Sequence, residues 1–225
     1  MKRSEINRAI DEGLEFCRGM NFHLPPFATW TVQEWEDKGH EYDEIRDNGL
    51  GWDVIDLNLG RFAEVGCVLF TIRNGNQQLD KYEKPYCEKL LIVRENQVSP
   101  FHFHFSKTED IINRGGGDLM IQLYNAGDDE QLADTPVQVN TDGHAYTVEA
   151  GTTIRLTPGE SITLLPYQYH KFWAKGATVL GGEVSTVNDD TVDNRFLEEM
   201  DRFPAIEEDE PPNYCLCNEY PPVPE

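Results

Sequence analysis

Two histidines one residue apart mark the stretch FHFHFSKTE, residues 101–109. In a β-strand, side chains alternate between faces, so His102 and His104 would point to one side while the phenylalanines point to the other and can be buried. Imidazole and carboxylate groups bind divalent metals, and Glu109 adds a carboxylate shortly after the histidines. A further ligand must come from another strand, and His170 is the candidate. These residues therefore predict a metal site of three histidines and one glutamate.

The first part of the chain, residues 1–50, carries helical signals. Apolar side chains recur at helical spacing behind a cap expected at Ser4. Thr31 and Glu34 have the spacing of a capping box. Two short helices are expected after it, over residues 35–38 and 41–47.

From Trp52 onward the sequence is typical of β-structure, with short runs of β-branched and aromatic residues separated by turn signals. The predicted strands cover residues 67–73, 89–93, 100–105, 119–124, 145–148, 152–156, 161–165 and 179–185. Many strands without intervening helices predict a mainly β fold, a sandwich or a barrel. We expect one structural domain overall: a helical segment (1–50) packed on a barrel with the metal site (51–197), and an acidic, proline-rich C-terminal tail (198–225).

Composition narrows the class of partner. The formal net charge of −22 argues against nucleic acid or an anionic membrane surface as a partner. There is no apolar run long enough to span a bilayer, and no secretory segment follows the start MKRSEIN. The five cysteines lack the spacing of a zinc site and indicate reduced thiols. We therefore expect a cytoplasmic protein that acts on a small molecule.

The ligand pattern resembles the two metal-binding motifs of the cupins, which are small β-barrels of the jelly-roll type. The first motif is H-x-H-x4-E-x6-G (His102, His104, Glu109 and Gly116), and the second is G-x10-H (Gly159 and His170). The resemblance implies a cupin barrel in which the three histidines and the glutamate hold a metal. A cupin fold alone does not define an activity, because one fold hosts many functions.

A longer resemblance, over nearly the whole chain, is to the D-lyxose isomerase family. The segments that carry it are WDVID (52–56), KPYCEK (84–89), EDIINRGGG (109–117), PGESITL (158–164), YHKFW (169–173), GEVSTVNDD (182–190) and EEDEPP (207–212). The resemblance implies a homodimer that uses a divalent metal, most often manganese. It also implies a monosaccharide substrate, with interconversion of D-lyxose and D-xylulose and of D-mannose and D-fructose.

That reaction moves a proton from C2 to C1 of an open-chain sugar through an enediol, and it needs a positioned base. Glu183, in a predicted strand after two glycines, is the predicted base, and Lys107 is predicted to donate to a sugar oxygen. Asp190 and Arg195 are predicted to bind hydroxyl groups. The structural alternatives are a carboxylate that orients a ligand histidine for Glu183 and a solvated turn lysine for Lys107. For Asp190 and Arg195 the alternative is a surface salt bridge or a dimer contact.

Three other functions are compatible with the metal motif. A cupin isomerase of phosphorylated sugars would need a cationic phosphate site beside the metal. A cupin dioxygenase would use the same ligands with iron, nickel or copper and would consume oxygen. A sugar-binding or storage cupin would have no activity, but such proteins commonly lose the ligands that this sequence keeps.

Overall fold

The computed structural model describes residues 1–203 and 205–223, which form a large β-sheet with helices at the N-terminal end. The helices are α1 (Arg3–Gly19), α2 (Val32–Trp35) and α3 (Asp43–Asp47), with 3-10 turns at Pro26–Thr29 and His40–Tyr42. The strands are β1 (Gly51–Ile55), β2 (Cys67–Arg73), β3 (Tyr86–Val93), β4 (Val98–Phe103), β5 (Glu109–Ala126), β6 (Leu132–Ala133), β7 (Val137–Thr141), β8 (His144–Val148), β9 (Thr153–Leu156), β10 (Ser161–Leu164), β11 (Gln168–Thr186) and β12 (Arg195–Phe196). No helix in these two ranges is both long and apolar enough to cross a membrane.

All strand pairs among the described residues are antiparallel, in the order β1-β2-β3-β11-β5-β10-β7-β8, with β4 between β11 and β12. The two longest strands, β5 and β11, pair with each other along most of their length. Strand β11 also pairs with β3 near its C-terminal end and with β4 near its N-terminal end. It therefore brings residues from distant parts of the sequence to one side of the barrel.

The glycines at 115–117 favour a turn by sequence, but strand β5 runs through them without a break. Gly116 lies inside β5 at φ +95°, where a Cβ atom would stand 2.0 Å from the carbonyl oxygen of Thr178. The register between β5 and β11 shifts nearby, between Lys175 and Val179. The glycines thus permit a bulge within a continuous strand, because only a residue without a side chain fits this close approach.

Two apolar layers hold the fold together. Inside the barrel, buried side chains such as Leu91, Ile111 and Phe172 form one cluster. On the outer face of β1–β3, a second cluster packs the buried side of α1, including Ile10, against Trp52. The helical spacing predicted for α1 is confirmed by this packing, since its apolar positions face the sheet.

The helix boundaries differ from the sequence expectation for all three helices, and α3 begins at Asp43, after the 3-10 turn, and not at residue 41. Helix α1 begins at Arg3, so Ser4 lies within it, and the Ser4 hydroxyl donates to Asp209 of the tail at 2.7 Å. The predicted capping box is confirmed, because the Glu34 backbone N–H donates to Oγ1 of Thr31 at 3.2 Å. The helix behind it is α2, which follows the cap directly and does not begin at residue 35.

The C-terminal tail lies along the chain's own helix and first strand. The backbone N–H of Arg3 donates to the carbonyl oxygen of Glu207 at 2.9 Å, and that of Cys217 donates to Trp52 at 2.8 Å. The cysteines are free thiols, as predicted. The tail thereby ties α1 to the sheet edge at β1.

Candidate active site

Three histidines converge inside the barrel. His102 on β4 and His170 on β11 are direct partners across adjacent strands. Strand β4 ends at Phe103, earlier than predicted, so His104 lies just beyond it. One ring nitrogen of each histidine nevertheless lies within 4.8 Å of those of the other two. The structure thus brings together the three histidines that the sequence pattern selected.

The rings are oriented by the backbone. Each histidine places Nδ1 against a main-chain carbonyl oxygen, which can only accept a hydrogen bond, so Nδ1 carries the proton and Nε2 the lone pair. The partners are the carbonyls of Pro100 for His102 (2.8 Å), Asp193 for His104 (2.9 Å) and Gln168 for His170 (3.0 Å). All three Nε2 atoms are therefore available as metal ligands.

Burial keeps the imidazoles of His102 and His170 neutral. It lowers the pKa of His102 well below its usual range and lowers the pKa of His170 to about 4. The buried Nε2 of His170 has no hydrogen-bond partner, yet it lies 3.2 Å from Oε1 of Glu109. Two lone pairs at this distance repel unless a cation lies between them. The donor set therefore fits a divalent metal held by the three histidines with Glu109 beside them.

Lys107 lies between two buried carboxylates next to the histidines. Its Nζ is 2.7 Å from Oε2 of Glu109 and 2.9 Å from Oε1 of Glu183. Burial opposes the charge on Lys107, but Glu109 and Glu183 outweigh it and raise the pKa of the lysine. Burial likewise opposes ionisation of Glu109, and the Lys107 ammonium holds the pKa of that carboxyl well below its usual range. Lys107 therefore stays charged and is suited to donate hydrogen bonds.

The row of alternating charges continues across the barrel through Lys89. Its Nζ is 3.6 Å from Oε1 of Glu183 and 3.6 Å from Oδ2 of Asp190. Nη2 of Arg202 then lies 2.6 Å from both Asp190 and Asp53. Burial opposes ionisation of Asp190, but Lys89 and Arg202 hold its pKa well below the usual range. We call this row the polar ribbon: Glu109, Lys107, Glu183, Lys89, Asp190, Arg202 and Asp53.

A cavity beside the histidines is lined by the polar ribbon and by apolar side chains. His102 and His104 line it, as do the ribbon residues from Glu109 to Arg202. Its apolar lining includes Ile55, Leu57, Ile111, Phe172 and Phe196. A small polar molecule would find its charged hydrogen-bond partners along the ribbon, among apolar neighbours.

Asp193 anchors the loop that carries His104 and Lys107. One carboxylate oxygen, Oδ1, accepts from the Ser106 backbone N–H at 2.8 Å, and Oδ2 accepts from the Lys107 N–H at 3.0 Å. Its carbonyl oxygen also receives Nδ1 of His104. This residue was not selected from the sequence, where it is one acid among several after β11.

The structure brings Glu183, Lys107 and Asp190 to the cavity but leaves Arg195 outside it. Nε of Arg195 pairs with Oε2 of Glu130 at 2.8 Å, and its side chain is absent from the cavity wall. The hydroxyl-binding role predicted for Arg195 therefore has no support in this geometry. A surface ion pair, the alternative for this residue, is what the structure contains.

Lys89 and Arg202 are the cations that sequence reasoning missed. Lys89 has a signal in hindsight, because it alternates with the buried Leu91 and Val93 and must share their inward face. Arg202 has no such signal, since it lies in an irregular segment of the tail. The remaining histidines, at 23, 40 and 144, are exposed and lie away from the cluster.

The chain is similar to known sugar isomerases over its whole length. A family model described as D-lyxose isomerase matches residues 1–220. Proteins named D-lyxose/D-mannose isomerase from Escherichia coli O157:H7 and Serratia proteamaculans are each 48% identical over 223 residues, 98% of this chain and 98% of theirs.

Among solved structures, L-ribose isomerase of Cellulomonas parahominis with L-psicose aligns with a TM-score of 0.61 at 19% identity. The alignment covers 92% of this chain and 98% of that protein. At this identity the likeness concerns the fold, and it confirms the predicted cupin-type barrel.

Proposed function

Because this chain belongs to the D-lyxose isomerase family, we propose that it interconverts D-lyxose with D-xylulose and D-mannose with D-fructose. It is an isomerase, and its reaction exchanges an aldose for a ketose without net oxidation. One observation carries the assignment of roles to residues. Three oriented histidines lie near Glu183, a buried carboxylate that both Lys107 and Lys89 contact. The roles of individual residues below are part of the proposal.

His102, His104, His170 and Glu109 are the proposed ligands of a divalent metal. A divalent metal held there would supply Lewis-acid polarisation of the sugar carbonyl and would stabilise the negative charge of the enediol stage. Manganese is proposed because it accepts mixed nitrogen and oxygen ligands and more than four of them. The fixed Nδ1 contacts of the histidines mean that their Nε2 atoms need no reorientation to bind it.

Glu183 is the proposed base that takes the proton from C2 and returns it to C1. Lys107 and Lys89 both contact its Oε1, so Oε2 is the oxygen left to exchange the proton. A positioned base of this kind contributes about 10²- to 10⁴-fold to the rate. The two lysines fix the carboxylate within the polar ribbon, along which the sugar is proposed to lie.

Lys107 is the proposed donor to the oxygen that gains charge as the enediol forms. It is held in the barrel by Glu109 and Glu183 and by Oδ1 of Asn188, which accepts from Nζ at 3.2 Å. A donor that is already in place stabilises developing charge without reorganisation. Because its pKa is raised, Lys107 acts as a hydrogen-bond donor and not as the base.

The charge pattern of the cavity favours a neutral sugar over a phosphorylated one. The cations on the cavity wall, Lys107, Lys89 and Arg202, each already contact two carboxylates. A phosphate group would therefore meet acidic groups wherever it met basic ones. Arg155 pairs with Asp118 at the surface and is not part of the cavity wall.

We also propose a homodimer in the cytoplasm, on the strength of the family resemblance. Light scattering on the protein as it elutes from a size-exclusion column should give twice the mass of one chain. A mass equal to one chain would contradict the dimer without touching the proposed chemistry.

The test of the activity compares metal-free and metal-loaded protein. The chain is stripped with chelator, half is reloaded with manganese, and both halves are incubated with D-lyxose or D-mannose while ketose is followed by chromatography. Ketose that forms only with metal supports the proposal. No ketose from either sugar would contradict it, and oxygen uptake would then test for a dioxygenase.

A further inference from the structure

We propose that Arg202 binds the substrate, with its Nη1 donating a hydrogen bond to a sugar hydroxyl beyond C2. The inference rests on the proposed function and deepens it, because it names a residue that recognises the part of the sugar that does not react. Three observations carry it: an unpaired donor, the course of the polar ribbon and the way the guanidinium is held.

The unpaired donor is Nη1 of Arg202. Two buried side-chain nitrogen or oxygen atoms lack a hydrogen-bond partner within residues 1–203 and 205–223, namely Nε2 of His170 and Nη1 of Arg202. Buried polar groups are nearly always satisfied, so each orphan needs an explanation. Nε2 of His170 is explained as a metal ligand. Arg202 lines this cavity and also a neighbouring one that Asn74 and Asn188 line, and we assign its free N–H to the substrate in the cavity beside the histidines.

The polar ribbon leads from the reacting carbons to Arg202. An open-chain aldose carries an oxygen on every carbon, and the rest of the cavity lining is largely apolar, with side chains such as Ile111 and Phe172. A sugar that satisfies its hydroxyl groups therefore lies with them along the ribbon. With C1 and C2 at the histidines and Glu183, the next polar groups along the row are Lys89, Asp190 and then Arg202. Arg202 thus faces the hydroxyl-bearing carbons beyond C2.

The guanidinium is fixed before substrate arrives. Nη2 is held at 2.6 Å by both Asp53 and Asp190. Because the guanidinium group is planar, holding Nη2 between two carboxylates also restricts where Nη1 can point. The neighbouring Asp201 accepts from Nδ2 of Asn58 at 3.0 Å, which ties this part of the tail to the loop after β1. Little ordering is left for the substrate to impose on this donor.

The test uses Arg202→Lys, which keeps a positive charge near Asp53 and Asp190 but removes the planar group that carries Nη1. Its substrates are D-mannose and the analogues that lack one hydroxyl group at C3, C4, C5 or C6. Arg155→Lys, in a surface ion pair, is the matched control. Thermal melting and metal content verify that each variant is folded and loaded.

For D-mannose, kcat/KM of Arg202→Lys should fall by about 10- to 100-fold, chiefly through KM, since a hydrogen bond from a charged group is lost. The penalty should vanish for the one analogue that lacks the hydroxyl bound by Nη1 and persist for the others. A penalty of equal size for every analogue would overturn the proposal, because a residue that only supports Asp190 cannot distinguish them. An unchanged kcat/KM for D-mannose would overturn it as well.

A binding measurement separates failure of this proposal from failure of the proposed function. D-mannitol has no carbonyl group and is not isomerised, so calorimetry on manganese-loaded protein reports binding alone. Its Kd should rise about 10- to 100-fold in Arg202→Lys. Equal affinity of wild type and variant, or no binding to the loaded wild type, would overturn the role of Arg202. Lack of ketose formation by the wild type would instead count against the isomerase.

Discussion

Arg3 at the start of α1 and Lys107 beside the histidines are each held between two glutamates, but the surroundings of the two groups differ. Arg3 donates two hydrogen bonds to Glu208 and two to Glu219, at 2.6–3.0 Å. Lys107 contacts Glu109 and Glu183 at similar distances, 2.7 and 2.9 Å. Both cations are nearly inaccessible to solvent, with 3% and 2% of their side chains exposed.

The two sites differ in how exposed their carboxylates are. Glu208 and Glu219 are 56% and 28% exposed, whereas Glu109 and Glu183 are 3% and 6% exposed. At Arg3 the acids keep much of their hydration, so the cluster connects helix and tail at modest desolvation cost. At Lys107 both acids have lost their water and face a cavity. Burying several charged groups together costs free energy. Such a group is typical of a functional site, where a substrate and a metal complete the interactions of the charges.

The largest expected effect is from His170→Ala, which removes a proposed metal ligand and leaves the Arg3 cluster untouched. Bound manganese should fall well below one equivalent per chain and isomerase activity should be lost, because two histidines and a carboxylate hold the ion too weakly. Metal analysis and ketose formation measure the two effects. His144→Ala, at an exposed histidine, is the control. Full metal content with full activity in His170→Ala would contradict the site.

Lys107→Met tests the inner cation, and we expect kcat to fall by about 10²-fold because a donor to the developing charge is lost. Metal content should remain near that of the wild type, since the histidines are unchanged. Lys171→Met is the control, because that lysine lies over the ring of Phe101 and is not part of the cavity wall. If Lys107→Met has wild-type kcat, the charged cluster around Lys107 serves stability alone, like the cluster around Arg3.

Arg3→Met tests the cation that joins α1 to the tail, and it should change stability and not activity. The free energy of unfolding should fall by about 2 kcal/mol, between the values for exposed and fully buried ion pairs. Kinetic constants should not change. Chemical denaturation followed by circular dichroism measures the loss, with Arg8→Met as control because Arg8 is 67% exposed. Activity lost in the still-folded Arg3→Met variant would show that the cluster around Arg3 is not purely structural.

The smallest effect concerns a local feature outside both clusters, the cap of α2. Thr31→Ala should lower the free energy of unfolding by about 1 kcal/mol, because the side-chain acceptor for the Glu34 N–H is removed. Thr31→Ser keeps that acceptor and should restore most of the loss. Equal destabilisation by both substitutions would show that the methyl group, and not the cap, matters.

Features set by local periodicity could be predicted from the sequence. Strand β2 runs over the predicted residues 67–73, and the alternation in FHFH placed His102 and His104 on one face. These inferences needed only neighbours in the sequence. Glu183 and Lys107 were instead selected from the reaction that the family resemblance implies, Glu183 in a predicted strand and Lys107 between His104 and Glu109.

Features set by long-range packing could not be predicted. Arg195 and Arg202 both follow β11 in the sequence, seven positions apart, and each has acidic residues among its neighbours in the chain. Only the folded chain shows that Arg202 enters the barrel wall between Asp53 and Asp190 while Arg195 pairs with Glu130. Pairing with β11 likewise carries β5 through glycines that locally favour a turn.

The most direct test of the difference between the two clusters compares Glu183→Gln with Glu219→Gln, each the same change at a glutamate that contacts a buried cation. Isomerase kcat is measured on manganese-loaded protein, with metal content and melting temperature recorded for both. The kcat of Glu183→Gln should fall by about 10²- to 10⁴-fold with its metal retained. Glu219→Gln should have a lower melting temperature and an unchanged kcat. Wild-type kcat in the metal-loaded Glu183→Gln variant would contradict the account and exclude Glu183 as the base.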